Sequence, residues 1–406
     1  MGNSILIVSF SFPPSPSIGG RRWSYMAESL SKLNHEIHVI TSDFNDSSKG
    51  ECPWSKCISN FQNNITYIPH KTPFHILNKI PKKIINKIRY KISEKKALMK
   101  KDANPYDRSI YFSQQAFDLA LEKIKKLKIK NLILTGGPYD FLFKLSKLKI
   151  IFGDNLNLIV DFRDPWTEFY SNEKLKEPIS IIERKQHDRI NKIADCIYTP
   201  YDFIRNKYEE LWEDLNIKVL PHGFDNDLFD QEILINKQFN KWSYAGTLYP
   251  ELGGYINTLS EIIHFLNVKL CIYTYSDHKS YERLINNSVS FNNLVSQQNL
   301  LKLTSNVGIF IYFFNTDHIK PLKTSKFFEL IRRGVFILYF GPKGEVSTFI
   351  EENSLGYCIF NKKETNDIEF HAVNIKNLYK SFIPKPYLVD NFSFNIVSQK
   401  ISSDLI

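Results

Sequence analysis

Several things are scarce in this chain of 406 residues, and each scarcity removes a class of function. No apolar run approaches the roughly 18 to 20 residues that a membrane-spanning helix needs. The best one, Val307 to Phe314, is strand-sized, which argues against an integral membrane protein. The five cysteines, Cys52, Cys57, Cys196, Cys271 and Cys358, are odd in number and mostly scattered, so neither a disulfide framework nor a zinc ribbon is indicated. The N-terminus runs almost at once into Ile5-Leu6-Ile7-Val8, without a basic leader region or a small-residue cleavage site. A cytoplasmic site of action is therefore expected. There is no repeat of solenoid period, no dinucleotide fingerprint and no P-loop, which counts against an NAD enzyme and an NTPase.

What is present fits a folded enzyme-like body. Hydrophobic residues make up 43% and charged residues 24% of the chain, enough for two cores and close to the globular average. The length suits two domains of roughly 150 to 200 residues. Short apolar runs at 5–10, 36–41, 65–69, 131–136, 156–162 and 196–200 alternate with helical patterns, and several are too continuously apolar for a one-sided sheet. A second series follows at 242–246, 268–276, 307–314, 335–340 and 356–360. Two successive α/β units, each a parallel sheet with helices on both faces, are expected. The change of unit is read at Val219-Leu220-Pro221-His222-Gly223-Phe224-Asp225, where proline and glycine punctuate the chain. This gives a first domain over 1–218, a second over 219–385, and a C-terminal helix over 386–406 expected to return to the first domain.

The net charge of +10 is compatible with nucleic acid, an anionic membrane surface or an anionic substrate. Much of it lies between Lys71 and Lys101, where Lys79, Lys82, Lys83, Lys87, Arg89, Lys91, Lys95, Lys96 and Lys100 crowd one segment. Ile80, Ile84, Ile85, Ile88 and Ile92 recur there at helical spacing, so the segment reads as a basic amphipathic helix interrupted near Pro81. Either its isoleucines pack on the core or the helix docks on a membrane surface. Little aromatic interleaving accompanies the lysines, so nucleic acid is not an expected partner.

Three segments carry chemistry. After the first strand, Phe12-Pro13-Pro14 leads to Gly19-Gly20-Arg21-Arg22 and then to a helix expected over about 24–33. Paired glycines before a helix let backbone approach a ligand, and the helix start favours an anion. A second loop, Thr135-Gly136-Gly137-Pro138-Tyr139, should open on the same side of the sheet. Next, Asp161-Phe162-Arg163-Asp164-Pro165-Trp166 ends a buried strand in two carboxylates and a guanidinium. Charges packed there indicate either a site or a structural salt bridge. In the second half, Lys323-Thr324-Ser325-Lys326-Phe327-Phe328-Glu329 opens a helix that Thr324 or Ser325 can cap. Lys326 and Glu329 share one face of its first turn, either as an ion pair or as a site for pyrophosphate and ribose hydroxyls.

Taken together, these segments resemble the retaining glycosyltransferases of the GT-B fold, in particular the large family 4 of bacterial transferases that build surface polysaccharides. The resemblance spans essentially the whole chain. It rests on Phe12-Pro13-Pro14 with Gly19-Gly20, Leu33-Asn34-His35-Glu36-Ile37-His38-Val39-Ile40-Thr41, Asp161 to Trp166, Pro221-His222-Gly223-Phe224-Asp225, Tyr244-Ala245-Gly246-Thr247 and Lys326-Phe327-Phe328-Glu329. It implies an α/β GT-B architecture of two Rossmann-like domains facing a central cleft. A UDP- or GDP-linked sugar donor would be held by the second domain, at Gly246, Thr247, Lys323, Thr324, Ser325, Lys326 and Glu329. A glycan or lipid-linked acceptor would be held by the first. Asp161, Arg163 and Asp164 become the candidates for acceptor binding or proton handling, with Asp161 the preferred base by position. The loops at Gly19, Gly20, Arg21, Gly136 and Gly137 would line the cleft.

The sequence departs from the family at two points. The first of the family's two glutamates would fall at Pro321, and the arginine and lysine expected after Gly246 are missing from 247–254. Lys326, Lys323 or Arg21 and Arg22 are expected to compensate. No cofactor and no metal are expected, since Asp225-Asn226-Asp227 has the form of a metal-binding Asp-x-Asp but sits at the change of unit. Two other functions remain open, a nucleotide-sugar epimerase and a catalytically silent subunit that binds a partner enzyme.

Overall fold

The computed structural model describes residues 2–43, 52–70, 72–77, 81–100, 102–167, 173, 176–229, 237–274, 288–314, 322–360 and 367–406. Lys71, Lys79, Ile80, Lys101 and Pro321 lie outside the described residues. The chain divides into two compact units, 1–221 together with 394–406, and 222–393.

Unit 1 is built on a parallel sheet of seven strands: β1 (Ser4–Ser9), β2 (Glu36–Ser42), β3 (Ile65–Ile68), β4 (Asn131–Thr135), β5 (Asn157–Asp161), β6 (Cys196–Thr199) and β7 (Ile217–Val219). Their spatial order is β3-β2-β1-β4-β5-β6-β7. β1, β4 and β5 are buried on both faces almost throughout, which is why they read as unbroken apolar runs. The helices are α1 (Ile18–Lys32), α2 (Phe74–Leu77), α3 (Ile84–Leu98), α4 (Phe112–Leu127), α5 (Asp140–Phe152), α6 (Pro178–Ile193) and α7 (Asp202–Leu211). Proline opens α6, where its missing N–H costs nothing, and Lys128 in the left-handed conformation at φ 52° closes α4.

α1 begins six residues earlier than the sequence pattern indicates, at Ile18 instead of about Ser24. Gly19 and Gly20 therefore lie inside its first turn, and Arg21 and Arg22 are buried helix residues instead of loop residues. The short edge strand β7 has no counterpart in the sequence reading.

Unit 2 repeats the pattern with six parallel strands: β8 (Gln238–Ala245), β9 (Lys269–Tyr273), β10 (Val289–Asn292), β11 (Val307–Phe313), β12 (Phe336–Phe340) and β13 (Gly356–Ile359). The order is β10-β9-β8-β11-β12-β13. Flanking helices are α8 (Asn226–Phe229), α9 (Gly253–Leu266), α10 (Gln297–Leu303), α11 (Ser325–Arg332), α12 (Glu345–Glu352) and α13 (Ile368–Lys380). One core cluster gathers Phe310, Phe327, Ile337 and Val346, and a second gathers Trp242, Ile262, Ile309 and Leu338, so the sheet is covered by helices on both faces. β10 is another short edge strand absent from the sequence pattern.

The last helix, α14 (Phe394–Ser402), belongs to unit 1. Phe394 stacks on Tyr25 of α1 with ring centres 4.8 Å apart and planes within 2°. Beyond it, the Asp404 carboxylate accepts hydrogen bonds from Tyr198 and Lys218. Ile406 exchanges backbone hydrogen bonds of 3.0 Å with the Asn131 side chain.

Candidate active site

In an open parallel sheet, neighbouring strands whose connections run in opposite directions leave a crevice at their carboxyl ends. In unit 1 that switch lies between β1 and β4, and in unit 2 between β8 and β11. The candidates of the first and second halves of the sequence fall at these two places.

At the unit 1 switch point, Arg163 gathers the candidate loops. Its guanidinium donates to the carbonyl of Gly19 at 2.8 Å and of Gly137 at 3.2 Å, and to the Asp164 carboxylate at 2.8 Å. Glycine leaves room for the guanidinium at both contacts. A Cβ at Gly19 would lie 2.5 Å from the guanidinium, and at Gly137, which has φ +86°, 2.7 Å from it. Gly136 continues β4, its N–H donating to the Asp161 carbonyl, and Gly20 packs against the backbone at Phe12. The Tyr139 ring stacks on Trp166 at 4.7 Å while its hydroxyl donates to the Asp164 carbonyl. The Asp164 carboxylate is exposed, and Arg163 holds it.

Asp161 differs. It is fully buried, and its carboxylate receives Trp23 Nε1 at 2.6 Å, a two-nitrogen fork from Arg22 at 3.2 Å on each oxygen, and Thr135 Oγ1 at 3.3 Å. Arg22 in turn donates to the carbonyls of Leu220 and Pro221 at 2.6 and 2.7 Å. Of the two readings open for this carboxylate, the geometry is that of a buried, paired anchor. A base needs access to the proton it removes, and Asp161 has none. Arg22 is buried and commits four N–H groups to these partners, so it has no free fork for a phosphate. Arg21 is buried with its guanidinium 5.9 Å from the Tyr25 ring centre.

In unit 2, Lys326 leaves the first turn of α11 and reaches back to the end of β8. Its ammonium donates to the Ala245 carbonyl at 2.6 Å and lies 4.5 Å from the Tyr244 ring centre and 5.6 Å from that of Tyr312. The side chain is partly exposed, but this enclosure strips water from the charged end. Burial lowers its pKa from 10.5 to about 8, against the opposing pull of Glu329. Gly246 is adjacent, with φ +152°, and a Cβ there would stand 2.9 Å from the Tyr244 hydroxyl and 3.4 Å from the ammonium. The Thr247 carbonyl accepts from that same hydroxyl at 2.7 Å.

Thr324 occupies the N-cap of α11 and Ser325 its first position, but the Thr324 side chain makes no capping hydrogen bond. Its hydroxyl pairs instead with the Tyr312 hydroxyl at 3.0 Å. Lys323 points away to Glu345, 3.6 Å distant at the start of α12. Glu329 is half-buried one turn into α11. The site thus brings together Gly246, Thr247, Thr324, Ser325, Lys326 and Glu329 and leaves Lys323 in a different pairing. Tyr312, which helps shape the ammonium pocket, escaped the sequence reading, and Tyr244 entered it only within the Tyr244-Ala245-Gly246-Thr247 motif, without a role. Both are strand residues that look like ordinary core.

No family model matches the chain, and no curated protein matches it in sequence. Solved structures do match in fold along nearly the whole chain. A glycosyltransferase from Rickettsia africae ESF-5 is 14% identical, with a TM-score of 0.61 over 99% of this chain and 97% of that one. The pneumococcal O-GlcNAc transferase GtfA, in complex with UDP and GlcNAc, is 12% identical, with a TM-score of 0.61 over 99% and 98%. A putative UDP-N-acetylglucosamine 2-epimerase from Listeria monocytogenes is 10% identical, with a TM-score of 0.56 over 99% and 95%. Two parallel α/β sheets in sequence, of seven and six strands, together with these likenesses, give the chain the GT-B fold.

Proposed function

We propose that this protein transfers a sugar from a nucleotide-sugar donor, with unit 2 taking the donor and unit 1 the acceptor. The observation that carries the proposal is the Lys326 ammonium, desolvated at the switch point of unit 2 beside a glycine that leaves the approach open. A cation stripped of water, with a carbonyl and two ring faces about it and Glu329 one turn on, gains most from a dianionic partner. A diphosphate leaving group is such a partner, and a preorganised charge stabilises it as it forms. Glu329, one turn deeper, is suited to accept hydrogen bonds from ribose hydroxyls. GtfA, of the same fold, is complexed with UDP and GlcNAc, which supports a UDP-sugar as the first donor to try.

In unit 1, Asp164 is the exposed carboxylate of the cluster and the group assigned to the acceptor hydroxyl. Arg163 positions it and ties the start of α1 at Gly19 to the loop at Gly137. Retention of configuration, a glycan or lipid-linked acceptor, and a part in surface polysaccharide synthesis complete the proposal. They rest on the family resemblance of the motifs.

Calorimetric titration with uridine, UDP and a UDP-sugar, repeated with the guanosine series, tests the donor assignment. Lys326→Ala should spare nucleoside binding and weaken diphosphate binding by roughly ten- to a hundredfold, the usual value of a charge-assisted contact. Glu329→Ala should weaken all three ligands. Native affinities throughout would overturn the site, and donor turnover without any acceptor would select the epimerase reading instead.

A further inference from the structure

One element of unit 1 plays no part in that chemistry. α3 shows the solvent a row of isoleucines that a helix packed on a core would hide. Ile84 is 76% exposed, Ile85 72%, Ile88 55% and Ile92 51%, with Leu98 and Met99 exposed beyond them. The reading in which these isoleucines pack on the core is therefore overturned. The opposite face does that work: Ala97 is fully buried against Ala103 and Ile110, and Ser93 hydrogen-bonds His75 at 2.8 Å.

At roughly 100° per residue, Ile84, Ile85, Ile88, Ile92 and Met99 fall within one arc of about 100°. Lys87 and Lys91 flank that arc on one side, Arg89 and Lys96 on the other, Lys95 falls within the arc toward its C-terminal end, and all five are exposed. Lys82 and Lys83 precede it. The only acid between Pro81 and Lys100 is Glu94, which accepts a hydrogen bond from Tyr106.

We infer that α3 docks in the plane of an anionic lipid bilayer, its isoleucine arc in the acyl boundary and its flanking lysines at the head groups. The arrangement of a narrow aliphatic strip between two basic edges is what such a surface selects, because lysine stems lie along apolar surface while their ammonium groups reach outward. A second copy of the chain would fit badly, since two such faces would bring like-charged rows together. Docking would also set the acceptor loops near the lipid. The segment after α3 carries Asp107, whose carboxylate accepts the N–H groups of Tyr139 at 2.8 Å and Asp140 at 3.2 Å, next to Gly137. The inference stands on this helix alone and does not depend on sugar transfer.

Sedimentation of the full chain with vesicles of phosphatidylcholine, with and without phosphatidylglycerol, tests it. The native protein should bind only the anionic vesicles and release from them as salt rises. Replacing Lys82, Lys83, Lys87 and Lys91 by glutamine should weaken binding by about tenfold or more. Ile84→Ser, Ile88→Ser and Ile92→Ser combined should weaken it by about as much with every charge kept, and leave the melting temperature unchanged because these side chains are exposed. Failure of the native protein to bind anionic vesicles at low salt would overturn the inference. So would unchanged binding of the isoleucine variant, or an isoleucine-dependent dimer that ignores vesicles. Slowed amide hydrogen exchange confined to α3 on anionic vesicles would support it independently, whatever becomes of the donor-site titrations.

Discussion

The two units solve the same topological problem with opposite electrostatics. At the carboxyl ends of β4 and β5, charges answer one another: Arg22 forks onto Asp161, Arg163 holds Asp164, and two backbone carbonyls each take a further Arg22 proton. At the end of β8, an ammonium meets a carbonyl and two aromatic rings, and Glu329, one turn on, offsets only part of what burial costs it. Paired buried charge fixes loops in place. Under-compensated charge at an accessible point stores an appetite for an anion, and its lowered pKa is the mark of that state.

The comparison breaks first at Asp161. Asp161→Ala leaves the Arg22 guanidinium buried without its counter-ion, so a loss of about 3 to 5 kcal/mol in folding stability is expected. Denaturant unfolding would measure it, and UDP affinity in the surviving folded protein should stay native. A loss below about 1 kcal/mol would mean that unit 1 is not braced as described.

A smaller effect sharpens the picture, because one carboxylate of unit 1 is poorly compensated. Asp140 is buried, and burial together with the nearby Asp107 raises its pKa from 3.8 to about 6, despite a hydrogen bond from Ser113. The raised value makes the folded state the better proton binder between pH 4 and 6, so stability from this group is present below that window and lost as pH rises through it. Asp140→Asn should remove that slope. Relative to native, it should gain up to about 1 to 3 kcal/mol on going from pH 4 to pH 7, as read from unfolding curves at each pH.

The smallest effect lies in unit 2 and has the opposite sense. With the Lys326 pKa lowered from 10.5 to about 8, the unfolded chain binds more protons between those values, so this group's contribution to stability rises with pH there. Diphosphate affinity runs the other way, since the ligand needs the ammonium. From pH 7 to pH 9, UDP binding should weaken by roughly tenfold, about 1.4 kcal/mol, while uridine binding holds steady. Calorimetry of Lys326→Met, which has no such charge, should show a flat profile.

How far all this was legible in the sequence depended on how local each signal is. The α/β class and most strands could be read because a parallel strand covered on both faces is an unbroken apolar run, as in Ile5 to Val8 or Leu158 to Val160. β7 and β10 could not: they are edge strands of three and four residues, largely uncovered, with no run to detect. The start of α1 was hidden because Gly19-Gly20 looks like a breaker. Inside a first turn, however, glycine lets Arg163 lie against the helix backbone. The glycine loops, Asp161 and Lys326 were visible as types in the right order. What each one touches was not, because Arg22 lies 139 residues from Asp161 in the chain, and Ala245 lies 81 from Lys326.

The return of the chain at α14 means that unit 2, residues 222–393, is an uninterrupted insert in unit 1. Its two ends are already neighbours, since Phe224 pairs with Ser393 in a parallel bridge and its N–H donates to the Phe392 carbonyl at 3.1 Å. The chain is therefore a natural cassette. Unit 2 can be cut out as one continuous segment, whereas unit 1 is made of two pieces and, without unit 2, needs a new splice to carry the peptide from Pro221 to Phe394. A clone ending at residue 393 would strip a helix and the sheet-edge contacts of Asp404 from unit 1, so such a truncation would damage the half of the molecule farthest from it in sequence.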